Sequence, residues 1–128
     1  MPTKISTYKS ISAVLIWSED YKKLSSWYRE KFGFEVIEEL GYTNDTGIGL
    51  RVGTSYLWIG NHSEVHGTNK DPYRIMFNIG VDSIKQSYND LSAKGVEFIA
   101  EPFLAPTNKW FATFKDIDGN IGQLIGDK

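Results

Sequence analysis

One segment of this chain occurs twice. Asp20, Lys23, Gly33, Glu35, Ile37 and Glu39 return at a constant offset as Asp82, Lys85, Gly95, Glu97, Ile99 and Glu101, where chance would give roughly one match over a stretch of this length. Each copy reads as an aspartate, a helix, a glycine and a strand. Two copies make a paired module, not an open-ended solenoid. A domain built from two related halves has a seam or cleft between them, and ligand sites favour such places. What lines that cleft therefore decides what the chain can do.

At 128 residues, 41 % apolar and 14 % aromatic, the chain is long enough for one domain with a real core. It contains no cysteine, which removes disulfides, thiolate metal sites and a cysteine nucleophile, and fits a reducing compartment. Residues 1–10 are polar and no apolar run approaches the ~20 residues of a membrane span, so a soluble, cytoplasmic protein without a membrane partner is expected. Fourteen basic residues face sixteen acidic ones, a net charge of −2. Without a basic cluster, nucleic acid is not an expected partner.

The first copy opens with residues 11–17, a β-type run too apolar for a strand with one wet face. Asp20 is a good helix N-cap, and Tyr21, Leu24, Trp27, Tyr28 and Phe32 follow as one apolar stripe that Gly33 terminates. Residues 34–40, 48–52 and 56–59 supply three more strands, so the unit is β-α-β-β-β. The second copy predicts a strand over 73–81, a helix capped by Asp82 with Ile84, Tyr88 and Leu91 inward, and strands over 96–100, 110–115 and 121–125. The helical stripes of the two copies are out of phase by a position or two. Module 1 spans about 11–60 and module 2 about 73–126, with a polar connector over 61–72. The expected fold class is α+β.

Two such modules resemble the vicinal oxygen chelate fold of the glyoxalase, bleomycin-resistance and extradiol-dioxygenase superfamily. The resemblance rests on Asp20 with the run from Trp27 to Phe34, similar to the family's Asp…Phe-Tyr…Leu-Gly-Phe signature. It rests also on Asp116-Ile117-Asp118-Gly119-Asn120, similar to its Asp-Pro-Asp-Gly-Asn turn with isoleucine in place of proline. The first motif caps and packs a helix and the second makes a turn. They mark the fold and carry no chemistry of their own.

The resemblance implies a divalent metal held by inward His, Glu or Gln side chains on the first and last strand of each module. In this sequence those positions fall on Ala13, Trp58 or the adjacent Leu57, Met76 and Gln123, of which only Gln123 could coordinate. A catalytic divalent site needs about three N or O ligands, so no metal and no cofactor is expected. His62 and His66 are spaced i, i+4 but lie in the polar connector, where surface roles are commoner. Asp116 and Asp118 bracket a glycine turn, where aspartates usually accept from local backbone N–H groups.

If Ala13, Met76 and Gln123 point inward, strand alternation puts Leu15, Trp17, Tyr56, Trp58, Arg74, Asn78, Ile121 and Ile125 on the same cleft face. The candidate ligand-binding set is Trp17, Tyr56, Trp58, Arg74, Met76, Asn78 and Gln123, with no catalytic residue among them. Aromatic walls with a few polar groups suit planar or amphipathic small molecules; the simpler alternative is that the rings only fill a core. The sequence thus points to a metal-free binding protein, and the resemblance implies drug sequestration as its role and a homodimer as its assembly. Two other classes stay open: a metal-dependent lyase, isomerase or thiol transferase, and a ligand-free interaction domain.

Overall fold

Each module's helix is fixed at both ends by the residue chemistry of its caps. A computed structural model describes residues 7–128; the first six positions of the polar stretch 1–10 lie outside it. In module 1, β1 (Val14–Ser18) leads into α1 (Tyr21–Phe32), followed by β2 (Glu35–Tyr42), β3 (Asp45–Val52) and β4 (Ser55–Asn61). Asp20 accepts from the Lys23 N–H at 3.1 Å. Gly33 closes the helix at φ 73° and donates its N–H to the Arg29 carbonyl, a left-handed conformation that a side chain would penalise.

Module 2 repeats the order as β5 (Asn78–Ser83), α2 (Ile84–Ala93), β6 (Glu97–Leu104), β7 (Trp110–Lys115) and β8 (Ile121–Asp127). Its helix is capped by Ser83, which accepts from the Gln86 N–H at 3.2 Å. The expected cap, Asp82, sits one residue earlier. Val81 pairs with Gly126 and Ser83 with Asp127, so Asp82 is the extra residue of a bulge between them. That inserted residue accounts for the out-of-phase helical stripes. The fifth strand also starts later than expected, at Asn78, and the connector runs from His62 to Phe77.

The strands form two four-stranded mixed sheets, β1-β4-β3-β2 and β5-β8-β7-β6, with one parallel pair in each. This is the α+β architecture of repeated modules read from the sequence. Helix α1 packs on β1, β3 and β4, and α2 on its own sheet. The hydrophobic core lies on the helix side, where Leu24, Trp27 and Tyr28 meet Ile16, Leu50 and Ile59, and continues through Phe114 and Leu124 to Ile84 and Leu91. Neither helix, of twelve and ten residues, is long and apolar enough to cross a membrane.

The modules are joined by a buried carboxylate. The Tyr28 hydroxyl of α1 donates to Asp116 at 2.7 Å, at the end of β7. Asp116 also accepts from the backbone N–H groups of Asp118 and Asn120 and from the Asn120 amide. Beside it, the buried Ser18 donates to Asp118 across the seam at 2.5 Å. At the helix C-termini, Lys31 Nζ donates to the Lys94 carbonyl and Lys94 Nζ to the Lys31 carbonyl, a reciprocal pair between corresponding ends of the two helices.

Burial pushes the Asp116 carboxyl above the ordinary aspartate value, while its bonds from Tyr28 and Asn120 pull it back down. A carboxyl raised on folding contributes its stability in full below its unfolded pKa and loses it as pH rises through the folded one. Asp116 therefore does not drive acid unfolding. In Tyr28→Phe the carboxylate loses one stabilising donor, so its titration midpoint moves further up and the protein loses about 1–3 kcal/mol at neutral pH. Carboxyl NMR titration and denaturant melts check both, and an unmoved midpoint would contradict the assignment.

Candidate functional site

The face of the first sheet turned away from α1 is built from flat rings laid over glycines. Register puts Leu15 beside Trp58, Trp17 beside Gly60, Gly49 beside Trp58, and Glu38 beside Gly49, and strand alternation sends all of these to the face opposite Ile16, Ile48, Leu50, Leu57 and Ile59. A Cβ added at Gly47 would meet Trp58 Cζ2 at 2.6 Å. One at Gly60 would collide with the Trp58 indole nitrogen and with Trp17, and one at Gly49 with the Tyr56 hydroxyl. Three glycines thus leave room for three aromatic side chains to lie against the strands.

Tyr56 extends this face toward the sheet edge, where its hydroxyl donates to Glu38 Oε2 at 2.5 Å. Desolvation first, and the bond to Glu38 second, push the phenol far above the usual tyrosine range, so Tyr56 remains a neutral donor throughout the physiological range. Glu38 is not among the candidate ligand-binding residues read from the sequence. The signal that could have found it is the Gly-Ile-Gly run of β3 facing an aromatic at every second position of β4.

Two adjoining cavities lie where the modules meet, one along β1 and the other between the β3–β4 turn and the start of β5. One, of about 350 Å³, is lined by Leu15, Trp17, His66 and Ile75. The other, of about 330 Å³, is lined by Tyr56, Asn78 and Gly80. Val14 and Phe77 line both, so the two form neighbouring stretches of one seam. A larger hollow of about 830 Å³ lies between Trp27, Tyr73 and Lys115. Its charged groups are already engaged, since Asp116 has its four donors and Lys115 lies 3.9 Å from Glu97. The seam between the modules, whose cavities Trp17, Tyr56 and Asn78 line, is therefore the better candidate for a ligand.

The residues expected to line a cleft fall in different places. Trp17, Tyr56 and Asn78 reach the seam cavities. Gln123 pairs with Asn78 across β8 and β5, and its side-chain amide lies 3.2 Å from the Thr113 hydroxyl. Trp58 lies on the same face as Trp17 but is only 5 % exposed, and it stands outside the helix-side core cluster. Met76 is half-buried in the segment before β5. Arg74 differs most from expectation: it is not on a strand, its side chain is 77 % exposed, and Nε donates to Asp71 at 2.6 Å. Alternation could not place it, because the connector around it is held to the β7–β8 turn through Asn69, which bonds the Asp118 carbonyl and the Asn120 side chain.

The metal positions implied by the resemblance can be tested on their chemistry. Trp58 occupies the β4 position and Gln123 the β8 position, while Ala13 and Met76 immediately precede or approach β1 and β5. One neutral amide beside alanine, methionine and indole does not fit a catalytic divalent ion. His62 lies with its ring 5.4 Å from that of Trp17, and His66 3.7 Å from Glu19, both exposed on the connector.

An α+β pair of β-α-β-β-β modules joined at an Asp-Gly-Asn turn defines a glyoxalase-type fold. The chain matches the Glyoxalase/Bleomycin resistance protein/Dioxygenase superfamily over residues 10–124, and it belongs to that superfamily. It is 26 % identical over 121 residues to the uncharacterized protein YetH of Bacillus subtilis (strain 168), covering 91 % of this chain and 97 % of that one. The crystal structure of a glyoxalase family protein from Enterococcus faecalis superimposes with a TM-score of 0.78 at 25 % identity, covering 94 % of this chain and 99 % of that one. A lactoylglutathione lyase from Agrobacterium tumefaciens shares the fold, with a TM-score of 0.73 at 14 % identity over 94 % and 96 % of the two chains.

The ring-over-glycine packing makes a direct prediction. Gly60→Ala costs about 1–3 kcal/mol through overpacking against Trp58, and most of that cost disappears in a Trp58→Ala background. A double-mutant cycle in urea measures the coupling; purely additive effects would show that the indole does not occupy the glycine's space.

Proposed function

We propose that this protein binds a small aromatic or amphipathic molecule in the seam between the modules, without a metal, and sequesters or carries it. The observation that carries the reading is the aromatic face itself: Trp17, Trp58 and Tyr56 lie on the side of the sheet away from the core, over glycines that leave them room. Ring faces of this kind supply apolar contact area, and Tyr56, Asn78 and Gln123 supply polar groups able to orient a ligand. The donor set at the family's metal positions supports a metal-free mode. The homodimer implied by the resemblance belongs to the same reading, and the exposed Phe103 and Leu104 on the edge strand β6 give it apolar surface to cover.

Thermal-shift screening of small aromatic and drug-like compounds tests the reading. A compound at 100 times its dissociation constant adds about 2.7 kcal/mol of stability, and Trp17→Ala abolishes that gain while itself costing less than the ~3–5 kcal/mol of a core tryptophan. Dialysis against Ni²⁺, Mn²⁺ or Zn²⁺ followed by elemental analysis leaves well under one metal per chain. A chelator-removable metal near unit occupancy would instead favour the lyase, isomerase or transferase class.

A further inference from the structure

Moving Arg74 out of the cleft changes the charge a ligand would meet. On the face of the first sheet that carries Trp17, Tyr56 and Trp58, register and alternation place Glu35, Glu38 and Asp45 with a single basic residue, Arg51. Arg51 is engaged by Glu35, its cross-strand partner, at 3.7 Å. Among the described residues no cation pairs with Glu38; its partner is the neutral Tyr56 hydroxyl, which satisfies one oxygen and leaves the charge in place. The cavity that Tyr56 lines has no charged side chain in its wall. Arg74, which strand alternation puts on the cleft face, is instead exposed and closed on Asp71.

Resting on the binding function proposed above, we infer that the ligand is a small organic cation with a flat apolar body, its rings on the Trp17–Trp58–Tyr56 face and its positive charge directed to Glu38. Aromatic faces attract cations through their quadrupole, and a carboxylate adds a charge-assisted contact. An anionic ligand of the same shape meets repulsion there with no guanidinium to offset it.

Three flat probes of similar size separate the charge from the cavity: 1-methylquinolinium, neutral 1-methyl-2-quinolone, and 1-naphthoate, each titrated calorimetrically into the full chain. The cation is expected to bind about fivefold or more tighter than the neutral probe, the anion weakest, and the cation's advantage to shrink as salt is raised. Glu38→Gln brings cation and neutral probe to the same affinity, Glu38→Lys favours naphthoate, and Tyr56→Phe keeps the original order. Glu38 is exposed, so its two variants fold, which their unchanged melting confirms. If all three probes bind equally, or if the order survives Glu38→Gln, the charge inference falls and the binding reading stands. If none of them binds, the binding reading falls as well.

Discussion

The bond from Tyr28 to Asp116 is the contact on which the two-module arrangement depends. A buried carboxylate is costly to desolvate unless its oxygens are matched by donors, and Asp116 is matched by donors from two sources. The turn before β8 supplies backbone and amide groups, and α1 of the other module supplies a phenol. Removing either source leaves a buried charge short of a partner. The module seam is thereby a polar interlock as well as an apolar contact, with Trp27 and Phe32 against Phe114 completing it. Because β1 ends at Ser18, which bonds Asp118 in the same turn, the interlock also positions the strand along which one of the candidate cavities lies.

The two faces of the first sheet then divide the work. The helix side is close-packed with Ile16, Leu50, Leu57 and Ile59 and provides the stability of the module. The other face, relieved of that role, has exchanged side chains on β3 for glycines and carries its bulk as rings on β1 and β4. Such a face is rigid, since each indole is pressed against backbone, and rigid aromatic surface is what a ligand can use without ordering side chains first.

Much of this was legible in the sequence, for identifiable reasons. The caps Asp20 and Gly33 and the stripe of Leu24, Trp27 and Tyr28 follow from local chemistry, and the structure reproduces them. The cap of α2 was displaced by one residue because a bulge at Asp82 is a matter of pairing with β8, which no local propensity encodes. Tyr73, Ile75 and Phe77 alternate like a strand and so put Arg74 on the cleft face, but the first backbone bond of this segment to β8 is at the Phe77 carbonyl, which accepts from the Gln123 N–H, and the strand itself begins only at Asn78. The roles of Asp116 and Asp118 as local acceptors were expected; the reach of Tyr28 and Ser18 to them across 88 and 100 residues was not. Non-local partners of this kind are fixed by the assembled fold and leave no periodic trace.

The face bearing Trp17 and Trp58 is the ligand-binding face proposed above. The chain has four tryptophans, and they sample the alternatives. Trp17 and Trp58 lie on that face, Trp27 lines the hollow of about 830 Å³ beside Tyr73 and Lys115, and Trp110 lies under Lys128. The most direct measurement is the indole N–H region of a proton–nitrogen correlation spectrum, recorded while titrating a compound that stabilises the protein. On binding at that face, the Trp17 and Trp58 resonances move together and saturate while Trp27 and Trp110 stay in place. Movement of Trp27 with Trp17 and Trp58 unchanged would contradict it and put the ligand in the other cavity.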